Sequence, residues 1–325
     1  MNLPQQTNGR GVPATCVGCC SADIEEVESV SVEDLARAWV ASGTHGAVDE
    51  KVRTYVLEDL GTTRIAFWLC ADCGLEFADP MKSWTDTHYP SEQHTLGYDH
   101  QLALAELAKM APLRLLEIGC ADGQFLERAS LLGHETTGID FSEEDILSAR
   151  RRGVNAHVGD IAEVRTMESS TGKFDLIALF QVIEHLRDPS KVFEEILEIA
   201  EPGAVVMVGC PSDLRYSRVH SHRERIERSD FWDYPPQHLL RWTPRSLVTF
   251  LQRFNFQTER IAYEPLSILG ATAHLTALQG LGSSWHKKRW RRRLVSLGCL
   301  AQLTADRLSR RSTGIRLFVQ ARLKS

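Results

Sequence analysis

The sequence predicts an α/β fold: a doubly wound, mostly parallel seven-stranded sheet with an antiparallel C-terminal strand pair, preceded by a small zinc-ribbon-like domain. Three observations predict it. Short apolar runs alternate with helical stretches from Leu113 to Gly209, the first run passes directly into a glycine-containing turn, and five of the eight cysteines fall in two N-terminal clusters. Alternation at this spacing implies parallel strands joined by right-handed crossovers.

Composition bounds the reading. The chain has 325 residues, 43% of them apolar and 25% charged, which suits one large domain and a smaller one. No run approaches the roughly 18 apolar residues of a membrane span, and Met1 to Cys16 lacks the apolar segment of a secretory signal. A cytoplasmic protein is therefore expected. A net charge of -6 gives no general attraction to nucleic acid, and no Asn-Pro-Pro-Tyr-type base-flipping motif is present, so nucleic acid is not an expected partner.

In chain order, residues 1–90 form the N-terminal module, with a helix from Val32 to Ala41 that Ser31 can cap. Residues 91–111 form a linker helix, Tyr98 to Met110, ended by Pro112. Residues 112–325 form the main domain. Its expected strands are Leu113 to Ile118, Glu135 to Ile139, Ala156 to Val158, Phe174 to Phe180 and Ala204 to Gly209. A helix from Pro244 to Phe254 follows, then strands Gln257 to Tyr263 and Ile315 to Leu323. Only a helical insertion at 264–312 separates these last two, which predicts an antiparallel pair closing one sheet edge.

The turn Leu115 to Gly123 is the candidate cofactor site. Gly119 and Gly123 remove the Cβ atoms that would keep a ligand from the backbone, and the helix from Gln124 to Leu132 presents free N–H groups at its start. Glu117 can accept from an ammonium group, a sign that suits an amino-acid-bearing cofactor rather than a pyrophosphate. Asp140, ending the second strand, can accept from two ribose hydroxyls, and Phe141 follows it. Asp160 and Ile161 end the third strand, near an adenine. Phe180 and Gln181 bring the fourth to the same carboxyl edge, where open α/β sheets bind ligands.

These segments in this order resemble class I S-adenosylmethionine-dependent methyltransferases, especially the branch with a Glu-His pair after strand four, here Glu184 and His185. That branch includes ubiquinone-pathway O-methyltransferases and enzymes of sugar and natural-product modification. The likeness spans roughly residues 95 to 260 and the last strand. It implies that Glu117, Gly119, Ala121 and Gly123 surround the methionine part of S-adenosyl-L-methionine, Asp140 the ribose, Asp160 and Ile161 the adenine, and Phe180 and Gln181 the sulfonium. Ala121 stands where the family often has glycine, so a tighter turn with retained binding is expected. Related enzymes also cover the cofactor with a tyrosine, a position Tyr98 fits; packing between domains is the competing role.

His185 is the candidate base, since histidine titrates near neutral pH; its alternative is to orient the loop. Tyr234 and His238, in Asp233 to Leu239, are acceptor-side candidates, although His238 can also brace the helix at Pro244. Cys16, Cys19, Cys70 and Cys73 form two Cys-x-x-Cys pairs, the set a structural tetrahedral Zn2+ site uses. Cys20 can replace Cys19, and a redox pair or plain buried thiols are the alternatives. The module resembles the zinc domain of sugar C-methyltransferases.

The insertion carries the basic block Trp285 to Arg293, and Trp290, Leu294, Leu297, Ala301 and Leu308 fall near one helical face. A helix at 285–308 would suit an anionic membrane surface, or else the stripe is core or a subunit contact. The function expected is methyl transfer, foremost to oxygen, on a small-molecule or saccharide-like acceptor. A non-catalytic zinc and cofactor-binding scaffold is the alternative. A nicotinamide-dependent oxidoreductase is disfavoured, because Ala121 and Gln124 occupy two of the three glycine positions of Gly-x-Gly-x-x-Gly.

Overall fold

A computed structural model describes residues 7–8, 12–42, 50–84, 95–168, 172–216, 231–272, 289–309 and 313–324. Short strands β1 (Thr7–Asn8) and β2 (Val12–Pro13) pair ahead of the first cysteine knuckle. Then come β3 (Ile24–Ser31), α1 (Val32–Ser42), α2 (Glu50–Leu60), β4 (Arg64–Cys70) and β5 (Glu76–Asp79). The main domain runs α3 (Tyr98–Leu107), β6 (Arg114–Ile118), α4 (Gln124–Leu131), β7 (Glu135–Asp140), α5 (Glu143–Arg151), β8 (Asn155–Val158) and α6 (Ile161–Glu168). It continues through β9 (Phe174–Phe180), α7 (Pro189–Ile199), β10 (Ala200–Pro211), β11 (Leu240–Arg241), the Pro244–Arg253 helix, β12 (Phe256–Tyr263), the Arg289–Ser309 helix and β13 (Arg316–Leu323).

Seven strands form one sheet in the order β12-β13-β10-β9-β6-β7-β8. The five from β10 to β8 are parallel, and β13 runs antiparallel to both β10 and β12. Alternate residues of one strand serve opposite layers. On β9, Ile177 and Leu179 join the layer of α7 and the Pro244–Arg253 helix, whereas Leu176 and Ala178 join that of α3, α4 and α5. Burial on both faces explains the unbroken apolar run of this strand. Local signals set the helix starts: Ser142 accepts from the Asp145 amide and Asp188 from that of Lys191, and Thr243 with Ser246 makes a capping box ahead of Pro244.

The N-terminal module departs from a self-contained 1–90 unit. Its sheet has the order β11-β5-β4-β3, so its fourth strand is supplied from far downstream. Cys16, Leu75 and Phe77 pack in one core with Trp242, Leu247 and Phe250. The physical reason is size: β3 is mostly exposed, and so small a unit buries too little surface to close alone. Helix α2 and strand β3 were not anticipated, and β10 is longer than expected because its start, around Pro202 and Gly203, is joined through a register break between Ala200 and Val205. Of the linker, Tyr89 lies outside the described residues.

Candidate active site

At the carboxyl end of β6 the chain turns sharply. Gly119 and Gly123 take positive φ of 74° and 76°, and a Cβ on Gly119 would strike the Val182 side chain. Ala121 also has positive φ, 47°, a left-handed state that costs a non-glycine residue about 1 kcal/mol. What holds it is Asp140, whose Oδ2 accepts from the Ala121 amide at 2.9 Å while Oδ1 accepts from that of Ser142 at 2.9 Å. Thus Asp140 fixes the turn as well as edging the crevice. Asp160 caps the start of α6 by accepting from the Ala162 amide, Ile161 is buried, and Phe141 leaves 67% of its surface exposed at the rim.

Glu117 is buried with its Oε2 unpartnered, and burial, reinforced by the charges of Asp140, Asp99 and Asp122, holds its carboxyl well above the usual range. Such an acid-lined crevice favours a cation and repels a pyrophosphate. Two neighbours escaped the sequence reading. Asp99, fully buried at the start of α3, accepts from Gln181 Nε2 at 2.9 Å and from the His100 backbone amide at 3.1 Å, with the His100 ring Nδ1 3.0 Å from its Oδ1. Burial works to raise its pKa, but these bonds and the nearby Arg316 outweigh it and hold the group ionised. His100 stacks on Phe180, ring centroids 4.6 Å apart, with Nε2 3.9 Å from Glu117. Tyr98 is half-buried beside them, and Gln181 has a positive φ of 56°, its amide donating to the Gly209 carbonyl at 2.8 Å.

Beyond β9, a 3₁₀ turn carries Glu184 and His185. Nδ1 of His185 meets the Gln237 carbonyl at 2.6 Å and must donate to it, so Nε2 of the neutral ring carries its lone pair toward Glu184 Oε1, 4.0 Å away. Glu184 is fully buried with both oxygens unpartnered, and burial pushes its carboxyl up to about 8. Burial and the neighbouring His238 push His185 down to about 3. The His238 ring lies edge-on to His185, centroids 4.8 Å apart, with Nδ1 3.5 Å from Asp233, and its pKa is also lowered by burial. Glu184, His185 and His238 bring a carboxylate oxygen and two imidazole nitrogens within 4.8 Å of one another. His185 and His238 are therefore brought together.

Tyr234 is placed otherwise than expected. It is fully buried, donates its hydroxyl to Glu28, and packs against Phe67 at 5.5 Å. Its hydroxyl is committed to the module, where Arg241 also bridges Glu28, Glu76 and Asp233. The sequence placed Tyr234 near His238 correctly in the chain but had no means of seeing that β11 turns this stretch into the module's core.

The sulfurs of Cys16, Cys19, Cys70 and Cys73 lie within 4.8 Å of one another, with Cys16–Cys73 at 3.7 Å and Cys19–Cys70 at 3.5 Å. Tetrahedral thiolates around zinc would stand about 3.8 Å apart, so the cluster fits that ion. Cys20 is exposed and outside the cluster.

The seven-stranded sheet with an antiparallel strand between β10 and β12, and the glycine-and-acid crevice at its carboxyl edge, define the class I methyltransferase fold. Residues 92–261, more than half of the chain, match the model of the methyltransferase domain family, and the chain belongs to that family. It is 27% identical over 133 residues to a ubiquinone biosynthesis O-methyltransferase of Xanthomonas oryzae pv. oryzae, covering 39% of this chain and 56% of that protein. The chain thus spans about half the length of the curated relatives it matches. A solved methyltransferase from Archaeoglobus fulgidus superposes with a TM-score of 0.44 at 20% identity, covering 69% of this chain and 94% of the other. The Haemonchus contortus phosphoethanolamine N-methyltransferase 2, solved with S-adenosyl-L-methionine, gives 0.46 at 16% identity, covering 74% of this chain and 58% of its own.

Proposed function

We propose that this chain transfers a methyl group from S-adenosyl-L-methionine to an oxygen of a small, hydroxyl-bearing, saccharide-like acceptor, and that Cys16, Cys19, Cys70 and Cys73 hold a structural zinc ion. The observation that carries the reading is Glu117, a buried carboxylate with an orphaned oxygen in an acid-lined crevice. An ammonium group beside it would satisfy that oxygen, and a positive ligand would relieve the repulsion among Asp99, Glu117, Asp122 and Asp140.

When bound, the cofactor supplies a methyl group activated by a sulfonium. The residues of this chain then have three tasks. Glu117 and the turn through Gly119, Ala121 and Gly123 hold the amino-acid end, Asp140 the ribose, and Phe141, Asp160 and Ile161 the adenine. Asp99 fixes Gln181 and His100, which with Phe180 and Tyr98 shape the wall facing the reacting centre. Positioning of this kind can supply much of the rate of an in-line displacement. His185, its Nδ1 committed to Gln237, offers Nε2 to an acceptor hydroxyl, and the Glu184 carboxylate 4.0 Å away would stabilise the imidazolium so formed. His238, oriented by Asp233, contacts the acceptor from the opposite side.

Residues 1–90 are proposed to act as a zinc-braced wall of the acceptor site rather than an independent domain. The relatives named for ubiquinone biosynthesis support transfer to oxygen, and the cytoplasm is the proposed location. Incubation with methyl-labelled S-adenosylmethionine and a panel of sugar nucleotides and phenols tests the reading. Label in a base-stable ether is expected. Label at carbon or nitrogen, or none across the panel with the cofactor bound, would overturn the transfer to oxygen.

A further inference from the structure

The basic insertion at 264–312 is not used by the crevice. Its sequence holds nine Lys or Arg residues against two Asp or Glu, a net of +7 inside a chain whose total is -6. Periodicity would ordinarily bury the stripe on the Arg289–Ser309 helix, yet its described members face outward: Leu297 is 61% and Leu308 83% exposed, and Ala301 between them is exposed too. The helix is instead pinned from its other side, where buried Leu303 and half-buried Cys299 pack with Tyr216, Leu266 and Ala271. In a helix of 3.6 residues per turn, Leu297 and Leu308 fall within about 20° of one another around the axis, with Leu303 well away from them. Leu269, on the neighbouring helical turn of the insertion, is 79% exposed.

We propose that this face docks on an anionic lipid bilayer surface, the exposed leucines entering the acyl boundary and the positive charge of the insertion drawing it to headgroup phosphates. Apolar stripe and basic residues together are what an interfacial helix requires. Charge decides between occupants. A second copy docked here would bring together two insertions that each carry a net +7, whereas an anionic bilayer complements that charge. The side chains of Trp285 to Ser296 lie outside the described residues, and the basic block contributes only its charge, read from the sequence. Docking here does not rest on the reading of the crevice, so either can fail alone.

Co-sedimentation of the full zinc-loaded chain with phosphatidylcholine vesicles, with and without phosphatidylglycerol, tests the proposal. Binding is expected only with phosphatidylglycerol and should weaken as salt rises. The triple change Arg291→Glu, Arg292→Glu, Arg293→Glu should lower partitioning on the order of a hundredfold. The pair Leu297→Asp and Leu308→Asp should lower it at least about tenfold, with thermal unfolding unchanged because both positions are exposed. Equal binding to both vesicles, no binding to either, or binding indifferent to the leucine changes would overturn the proposal. So would a concentration-dependent dimer, seen by light scattering, that the leucine changes abolish; the face would then belong to a second copy.

Discussion

Glu184 and His185, adjacent in sequence, present an unpartnered carboxylate oxygen and an imidazole Nε2 to each other across 4.0 Å in the protein interior. Burial raises the Glu184 carboxyl to about 8 and lowers the His185 ring to about 3, so at neutral pH both are held uncharged.

With Glu184 pushed up to about 8 by burial, the carboxylate that stabilises an imidazolium is ionised only toward alkaline pH. In the free enzyme kcat/KM should therefore rise toward a plateau above pH 8. Glu184→Gln should lower kcat on the order of a hundredfold and flatten that limb. A profile unchanged in the variant would remove Glu184 from the proton path.

The same residue predicts a trade of stability for function. A carboxyl whose folded pKa exceeds its unfolded value is bound to its proton in the native state while the unfolded chain has lost it, so stability falls as pH climbs from about 4.5 to about 8. Glu184→Gln should accordingly melt higher than the parent at pH 8, by a few kcal/mol in order of magnitude, and close to it at pH 4. Calorimetry at the two pH values checks this.

His185 has the opposite sign. Burial holds it neutral, with a pKa near 3, while the unfolded side chain takes a proton below about 6.5. Native stability should decline as pH falls through that window, and His185→Gln should blunt the decline. The same variant should lower kcat by about a hundredfold or more with S-adenosylhomocysteine affinity retained.

Zinc should be present at one equivalent per chain. Chelation, or Cys70→Ser, should destabilise the whole protein rather than a detachable module, because Cys70, Phe77 and Trp242 share one core. Cys20→Ser should leave metal content and melting unchanged. Elemental analysis with thermal melts distinguishes the two.

Much of the main sheet was legible in the chain. Strand Phe174–Phe180 is buried on both faces and flanked by helices, so its apolar run had one reading, and the closing antiparallel pair followed from the insertion before β13. Residues that depend on distant partners were not legible. Asp99 looks like an ordinary helix-start acid until Gln181, 82 positions later, is brought against it. Strand β11 is two residues long and exists only because β5 lies beside it. Tyr234 was misplaced for that reason, and Glu184 was undervalued because nothing local shows that both its oxygens are sealed from water.

The most direct test of the account is the melting temperature of the zinc-loaded protein with saturating S-adenosylhomocysteine, with NAD, and with neither, repeated on Glu117→Gln. A ligand at about 100 times its Kd adds roughly 2.7 kcal/mol, a rise of about 4 °C in a chain of this length. The account predicts that rise with S-adenosylhomocysteine, none with NAD, and affinity weakened about tenfold or more in Glu117→Gln, since a bond to a charged group is lost. A rise with NAD alone, or an equal response from Glu117→Gln, would contradict it.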